Sequence, residues 1–263
     1  MKWNPAKYVQ FASHRDRPFF ELMARVDADA PRKVVDLGCG PGPLTAALAD
    51  RWPQAQVTGL DSSAEMIARA TSEHHRPHLA FAEADATAWI PETGTDVLVS
   101  NAMLQWIPGH RELMAQWLDA LEPGAWFAAQ VPGNFGAPSH VLLRELAGSP
   151  HWKTRLEGLA LRKDATAEPG TYLRLLLEHG FDADVWETTY SQLLRGQDPV
   201  LEWVRGTALR PVLSVLAPED AREFEHEYAA LAREAYPPVT VHDSDPLTVF
   251  PFRRIFMVGR KAS

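Results

Sequence analysis

VVDLGCGPG, Val34 to Gly42, is the stretch on which the fold turns: β-branched and apolar residues enclose an acid, and glycines at 38, 40 and 42 then precede a helical pattern. The apolar run reads as a buried strand, and a glycine-rich turn between a strand and a helix is a place where a ligand can approach the main chain. Gly38 and Gly40 put no side chain between backbone and ligand, so their amides are expected to face it directly. Asp36, at the end of the strand, can orient the turn or hold a ligand's ammonium group.

Outward from this turn the same alternation repeats. Strands are predicted at Lys33 to Leu37, Gln56 to Leu60, Leu79 to Glu83, Asp96 to Ser100 and Trp126 to Val131. Leu44 to Arg51, Ala64 to Thr71 and His110 to Leu121 carry apolar residues at three-to-four spacing and predict crossover helices. Pro53 follows the first helix, the Ser62-Ser63 pair offers an N-cap to the second, and Pro123-Gly124 ends the third. Such βαβ units build a mostly parallel sheet.

Ahead of this core, Pro18 to Val26 predicts a short amphipathic helix behind an arm holding Trp3, Tyr8, Phe11 and His14. Pro132 to Pro169 and Ser191 to Pro251 are rich in Pro, Trp and helix formers and read as insertions forming a helical cap, while Asp184 to Tyr190 and Arg254 to Gly259 are strands returning to the sheet. The expected architecture is a doubly wound, Rossmann-like α/β fold with a mostly parallel seven-stranded sheet. Its segments are an arm and ligand-binding core at 1–131, a first cap insertion and crossover helix at 132–183, a core strand at 184–191, a second cap insertion at 192–251 and a last core strand at 252–263.

Two further acids sit at strand ends. Asp61, in GLDSS, closes the second strand where a carboxylate can accept both hydroxyls of a ribose, as in nucleoside sites at a topological switch point. Asp85, in EADAT, follows the third strand and can meet the exocyclic amine of an adenine. A glycine turn alone is often only a turn, and a strand-end Asp is often only a helix cap. Three such features in order, on successive strands, point to an adenosine-containing ligand. A nicotinamide dehydrogenase shares the fold and the second acid, but its fingerprint needs a third glycine for close helix packing, and that place, counted from Gly38, holds Pro43. Asp36 ahead of the glycines, and DVLVSNAMLQWI (Asp96 to Ile107) with Asn101 and Gln105 just past the fourth strand, fit a methyltransferase better.

Bulk properties narrow the class. The 263 residues suffice for one large α/β domain, or a core with a smaller cap, and a sizeable core. A single cysteine, Cys39, allows no internal bridge and reads as a small buried filler, which favours a reducing compartment. There is no charged leader followed by an apolar run, and no apolar stretch long enough to span a membrane, so a cytoplasmic protein without a membrane partner is expected. A formal charge of −8 argues against nucleic acid as a partner and requires any anionic substrate to meet a locally built cationic pocket. Monomer and homodimer both remain open.

Over its first half the chain resembles the class I S-adenosylmethionine-dependent methyltransferases. WNPAKYVQFASHRDRPFFELMARV, VSNAMLQWIPGHREL, QVPGNFGAPSHVLLREL, VWETTY, WVRGTALRP and FPFRRIFMV extend the resemblance over nearly the whole length, to the trans-aconitate 2-methyltransferase family. That resemblance implies methyl transfer from S-adenosyl-L-methionine to one carboxylate of trans-aconitate or a close di- or tricarboxylate, with S-adenosyl-L-homocysteine as product. An ionised carboxylate needs no general base for in-line attack, and no nucleophilic triad or metal-ligand cluster is visible, so catalysis is expected to rest on positioning with no catalytic residue and no metal.

The implied cofactor set is Arg17, Asp36, Gly38, Gly40, Asp61, Ser62, Met66, Asp85, Ala86, Asn101 and Gln105. The implied substrate set is His14, Arg15, Asn134, Tyr190, Trp203, Arg210, Arg253 and Arg254, since guanidinium forks suit planar carboxylates. Arg17 and Arg205 are further candidate cations for the substrate, and Arg17 can alternatively hold the methionine carboxylate of the cofactor. Two rival readings stand beside this one: a methyltransferase acting on another carboxylate, such as the malonyl group on an acyl carrier protein, and a non-catalytic S-adenosylmethionine-binding regulator.

Overall fold

The computed structural model describes residues 16–240 and 246–263. Five parallel strands form in chain order: β1 (Lys33–Leu37), β2 (Gln56–Asp61), β3 (Leu79–Glu83), β4 (Val97–Asn101) and β5 (Trp126–Pro132). Two long strands follow, β6 (Phe181–Arg195) and β8 (Leu247–Lys261), with the two-residue β7 (Pro238–Val239) pairing on β8. The sheet order is β3-β2-β1-β4-β5-β8-β6, with β8 antiparallel to β5. From β1 the chain moves outward to β2 and β3 and then crosses back to β4. The carboxyl ends of β1 and β4 therefore flank a topological switch point, where open α/β sheets bind ligands.

The central strands are mostly apolar because both faces are covered: Val34 to Leu37, Val97 to Val99 and Phe127 to Val131 are buried, with Asp36 and Gln130 the polar residues among them, whereas β3, at the edge, is mostly exposed. Helix α1 (Arg17–Met23) precedes β1, and α2 (Pro43–Arg51), α3 (Ala64–Glu73) and α4 (His110–Ala120) fill the crossovers. Each start has a local cause. Pro43, whose missing N–H costs nothing at a helix start, opens α2 behind Gly42. Ser63, not Ser62, caps α3 by accepting the Met66 amide, and Gly109 supplies a left-handed residue before α4. At the far end of α2, Arg51 donates to the carbonyls of Met23 and Val26, tying the α1–β1 connection down.

The chain forms two compact units among its described residues. Of the described residues, the first comprises 16–132, Thr166–Thr188 and Arg254–Ser263; the second comprises Gly133–Ala165, 189–240 and 246–253. The first holds α6 (Pro169–Glu178) and a core built around Trp117, Phe127, Tyr172 and Met257. The second holds α5 (Pro138–Ala147), α7 (Pro199–Arg205), α8 (Arg210–Leu213) and α9 (Pro218–Ala235), with its own core around Trp152, Phe224, Tyr228 and Phe250.

Two strand boundaries differ from expectation. β6 and β8 are each 15 residues long, far beyond the predicted 184–190 and 254–259. β8 runs straight through Pro251, the last residue of the second expected insertion. Proline fits extended backbone, and its lost N–H matters only where a partner strand requires a donor. Among the described residues no helix is long and apolar enough to cross a membrane.

Candidate active site

The three glycines of the β1–α2 turn all have positive φ (84° at Gly38, 55° at Gly40, 86° at Gly42), but only one leaves open room. A Cβ on Gly38 would lie 2.4 Å from Met103 Cγ, and one on Gly42 would lie 2.7 Å from Phe81. A Cβ on Gly40 would meet nothing within 4 Å. Gly38 is thus glycine because Met103 needs its space, and Gly40 is the position over which a ligand can lie.

The amides are not free, contrary to the expectation from sequence. Gly38 N and Cys39 N both donate to Leu60 O, at 2.7 and 3.0 Å, Gly40 N donates to Asp61 Oδ2 at 2.9 Å, and Gly42 N donates to Cys39 O at 3.2 Å. Positions 41 and 43 are prolines. The turn fastens β1 to β2 with its own donors, so it does not resemble the amide nest that grips a pyrophosphate.

What the neighbouring strand tips offer instead is acceptors. Asp36 is 1% exposed; its Oδ2 accepts from the buried Thr45 hydroxyl at 2.6 Å, and its Oδ1 has no partner among the described residues. Burial pushes the Asp36 carboxyl up to about 6, against the lowering effect of the Thr45 bond and with a further push from Asp61. Past β4, Gln105 Nε2 donates to Ala102 O, and the buried Gln105 Oε1 is a second acceptor without a partner among the described residues. Buried acceptors without donors are costly unless a donor or cation arrives. A cofactor bearing an ammonium and a sulfonium fits this donor-poor, acceptor-rich site, and a polyanion does not.

Asp61 uses Oδ2 for Gly40 N and Oδ1 for Ser63 N, each at 2.9 Å, which holds its carboxylate beside the glycine turn with lone pairs to spare. Asp85 is exposed, and its Oδ1 accepts from both the amide and the hydroxyl of Thr87 at 2.8 Å. Those two bonds keep its carboxyl below the usual range. Ser62 is exposed, Met66 is half-buried in the first turn of α3, and half-buried Ala86 packs on the first core. Cys39 is buried, and that burial, followed by the charges of Asp36 and Asp61, pushes its thiol up, as expected of a filler.

Near the carboxyl ends of β4 and β5, and midway along β8, three polar side chains meet. Arg254 Nη1 donates to Gln130 Oε1 at 3.4 Å, and Gln130 Nε2 donates to Asn101 Oδ1 at 2.7 Å. Arg254 and Gln130 are buried. Sequence reading named Asn101 and Arg254 but missed Gln130; the available signal was one polar residue inside the apolar strand WFAAQVP.

The remaining expected residues lie on several segments of the chain. His14 and Arg15 lie outside the described residues. Arg17 opens α1, is exposed and donates to Glu21. In the second unit, Asn134 is 4% exposed with neither amide atom partnered among the described residues. Tyr190 is buried, and half-buried Trp203 packs near Phe250 and Phe252. Arg210 is exposed at the start of α8, and Arg253 donates to Gly133 O. The Arg205 guanidinium is held by Glu225 and Glu202.

Fold and site together define a class I S-adenosylmethionine-dependent methyltransferase. Residues 34–124 match the family described as a methyltransferase domain. The chain is similar in fold to the YcgJ protein of Bacillus subtilis (TM-score 0.57, 15% identity, covering 93% of this chain and 97% of that one). It is likewise similar in fold to Haemonchus contortus phosphoethanolamine N-methyltransferase 2 in complex with S-adenosyl-L-methionine (TM-score 0.53, 15% identity, 98% and 57% covered). Much nearer in sequence is the trans-aconitate 2-methyltransferase of Streptomyces avermitilis, 50% identical over 98% of this chain and 97% of the relative. Those of Streptomyces coelicolor (52%, over 98% and 86%) and Rhodococcus jostii (49%, over 98% and 99%) are as similar. The chain belongs to the trans-aconitate 2-methyltransferase family.

Proposed function

We propose that this enzyme methylates a carboxylate of trans-aconitate, giving a monomethyl ester and S-adenosyl-L-homocysteine. The observation that carries this reading is identity of about half over 98% of the chain with relatives named for that reaction, because such a match takes in the insertions as well as the core. S-adenosyl-L-methionine, when bound, supplies an electrophilic methyl on a sulfonium. Asp36 then neutralises the ammonium, Asp61 accepts from the ribose hydroxyls, Asp85 from the adenine amine, and the bare face of Gly40 makes room for the adenosyl group.

Arg254, midway along β8, holds a carboxylate of the acceptor. No proton has to be removed, since a carboxylate is ionised near neutral pH. The chain's contribution is alignment, worth up to ~7–11 kcal/mol when reacting atoms are held in line. Incubating the purified enzyme with methyl-labelled S-adenosyl-L-methionine and trans-aconitate tests the reading. A base-labile labelled ester is expected, and its absence overturns the substrate assignment. Label moving instead onto malonyl-acyl carrier protein would identify a different acceptor for the same cofactor chemistry.

A further inference from the structure

We propose that Gln130 is a positioning residue that sets the polarity of the Asn101 side-chain amide, so that the tip of β4 offers N–H donors to the acceptor carboxylate, a role for Asn101 in place of the cofactor contact implied by the resemblance. The inference rests on the carboxylate-acceptor reading above for its purpose, but its geometry stands independently.

A guanidinium has only donors. Gln130 must therefore turn its oxygen toward Arg254, which turns its NH2 toward Asn101, and Asn101 must answer with its oxygen. The one group in the chain that cannot be flipped fixes the two amides that otherwise could be. Asn101 is left with both Nδ2 hydrogens for other partners.

The main chain of Gln130 reinforces the arrangement. Gln130 pairs with Asn101 across the β4–β5 ladder, and its carbonyl accepts the Ala102 amide at 2.9 Å. Ala102, at φ 56°, is the only non-glycine with positive φ among the described residues. Gln130 thus grips two successive residues where β4 leaves the sheet through a strained conformation, a kind of strain that persists where surrounding contacts over-determine it. The same kink carries Met103 into the space above Gly38, so the β4 tip and the cofactor turn are packed together.

A buried glutamine at 1% exposure is an expensive way to fill a strand, and an apolar residue would satisfy packing alone. Placing donors at the β4 tip suits an anion that arrives to accept a methyl group. An outward carbonyl there would repel it.

Two readouts test this. In the substrate-free enzyme, the Asn101 side-chain amide hydrogens are expected to exchange rapidly with solvent and those of Gln130 slowly. In Gln130→Glu, whose carboxylate can accept from both Arg254 and Asn101, the Asn101 amide should turn over and become protected. Kinetically, Gln130→Glu should raise KM for trans-aconitate by ~10-fold or more, the scale of a lost charge-assisted hydrogen bond, with S-adenosyl-L-homocysteine affinity within about twofold. Asn101→Asp, which keeps the Gln130 contact but turns a carboxylate outward, should raise KM likewise and stands in if Gln130→Glu fails to fold. A protected Asn101 amide in the unaltered enzyme overturns the proposal, as does an unchanged KM in these variants. If the unaltered enzyme forms no ester, the substrate reading has failed, and the exchange experiment still decides the amide's polarity.

Discussion

The amide of Gly40 donates to Asp61 Oδ2 at 2.9 Å, so the acid at the end of β2 braces the turn at the end of β1. One carboxylate shapes the turn and faces the ligand position beside it. Asp61→Ala should therefore cost about 1–2 kcal/mol of stability for the orphaned Gly40 and Ser63 amides and raise the Kd for S-adenosyl-L-homocysteine by at least ~10-fold. Thermal unfolding and calorimetric titration would read both effects.

The glycines of the turn should separate cleanly. Gly40→Val places its side chain in open space and should abolish cofactor binding while costing stability only about 1–2 kcal/mol for the left-handed backbone. Gly38→Val drives into Met103 and should lower Tm far more. Comparing Tm and Kd for the two variants checks the assignment; equal loss of Tm would contradict it.

Arg254→Ala should raise KM for the carboxylate acceptor by ~10-fold or more and leave S-adenosyl-L-homocysteine affinity little changed, because Arg254 Nη1 donates to Gln130, whereas the acids of the cofactor turn accept from Thr45, Gly40 and Ser63. Steady-state kinetics beside a cofactor titration give the comparison.

Asp36 makes the protein pH-sensitive in a definite direction. Its folded carboxyl titrates near 6, above its ordinary 3.8, so the folded state holds this proton more tightly than the unfolded chain. The stabilising contribution is complete below about 4 and is lost as pH rises through 6, up to about 3 kcal/mol in the ligand-free enzyme. A bound ammonium favours the ionised form, so S-adenosyl-L-homocysteine affinity should fall about tenfold between pH 7.5 and pH 5. Asp36→Asn should remove both dependences, as calorimetry in buffers of different ionisation enthalpy would show.

Cys39 should be inert despite its place in the cofactor turn, since a buried thiol held protonated by Asp36 and Asp61 is a poor nucleophile. Labelling by iodoacetamide should be negligible in native enzyme and rapid in denaturant.

The repeating αβ pattern, the turn glycines and the strand-end acids were legible because they are local: apolar periodicity marks an element, and glycine and proline mark its ends. β1 to β5 lie within a residue of their predicted bounds for that reason. The last strand is expected from Arg254 and in fact begins at Leu247, because the neighbouring strands that decide whether Pro251 can be accommodated are distant in the chain.

Site chemistry was legible only in part. VVDLGCGPG announced a cofactor turn by its own composition, but which glycine meets a ligand depended on where Met103 and Phe81 came to rest. His151, Glu223 and Glu227 come within 4.8 Å of one another from segments some 70 residues apart, a grouping invisible to spacing, although exposed carboxylates commonly lie so close without an ion. Sequence alone determined the order of elements and the residue types at their ends, because backbone preference and burial act over a few residues. The tertiary structure alone decided that the turn's amides are spent, that Asp36 and Gln105 keep acceptors unanswered among the described residues, and that Gln130 joins Arg254 to Asn101, because a hydrogen bond is a matter of direction and distance between atoms the chain brings together only on folding.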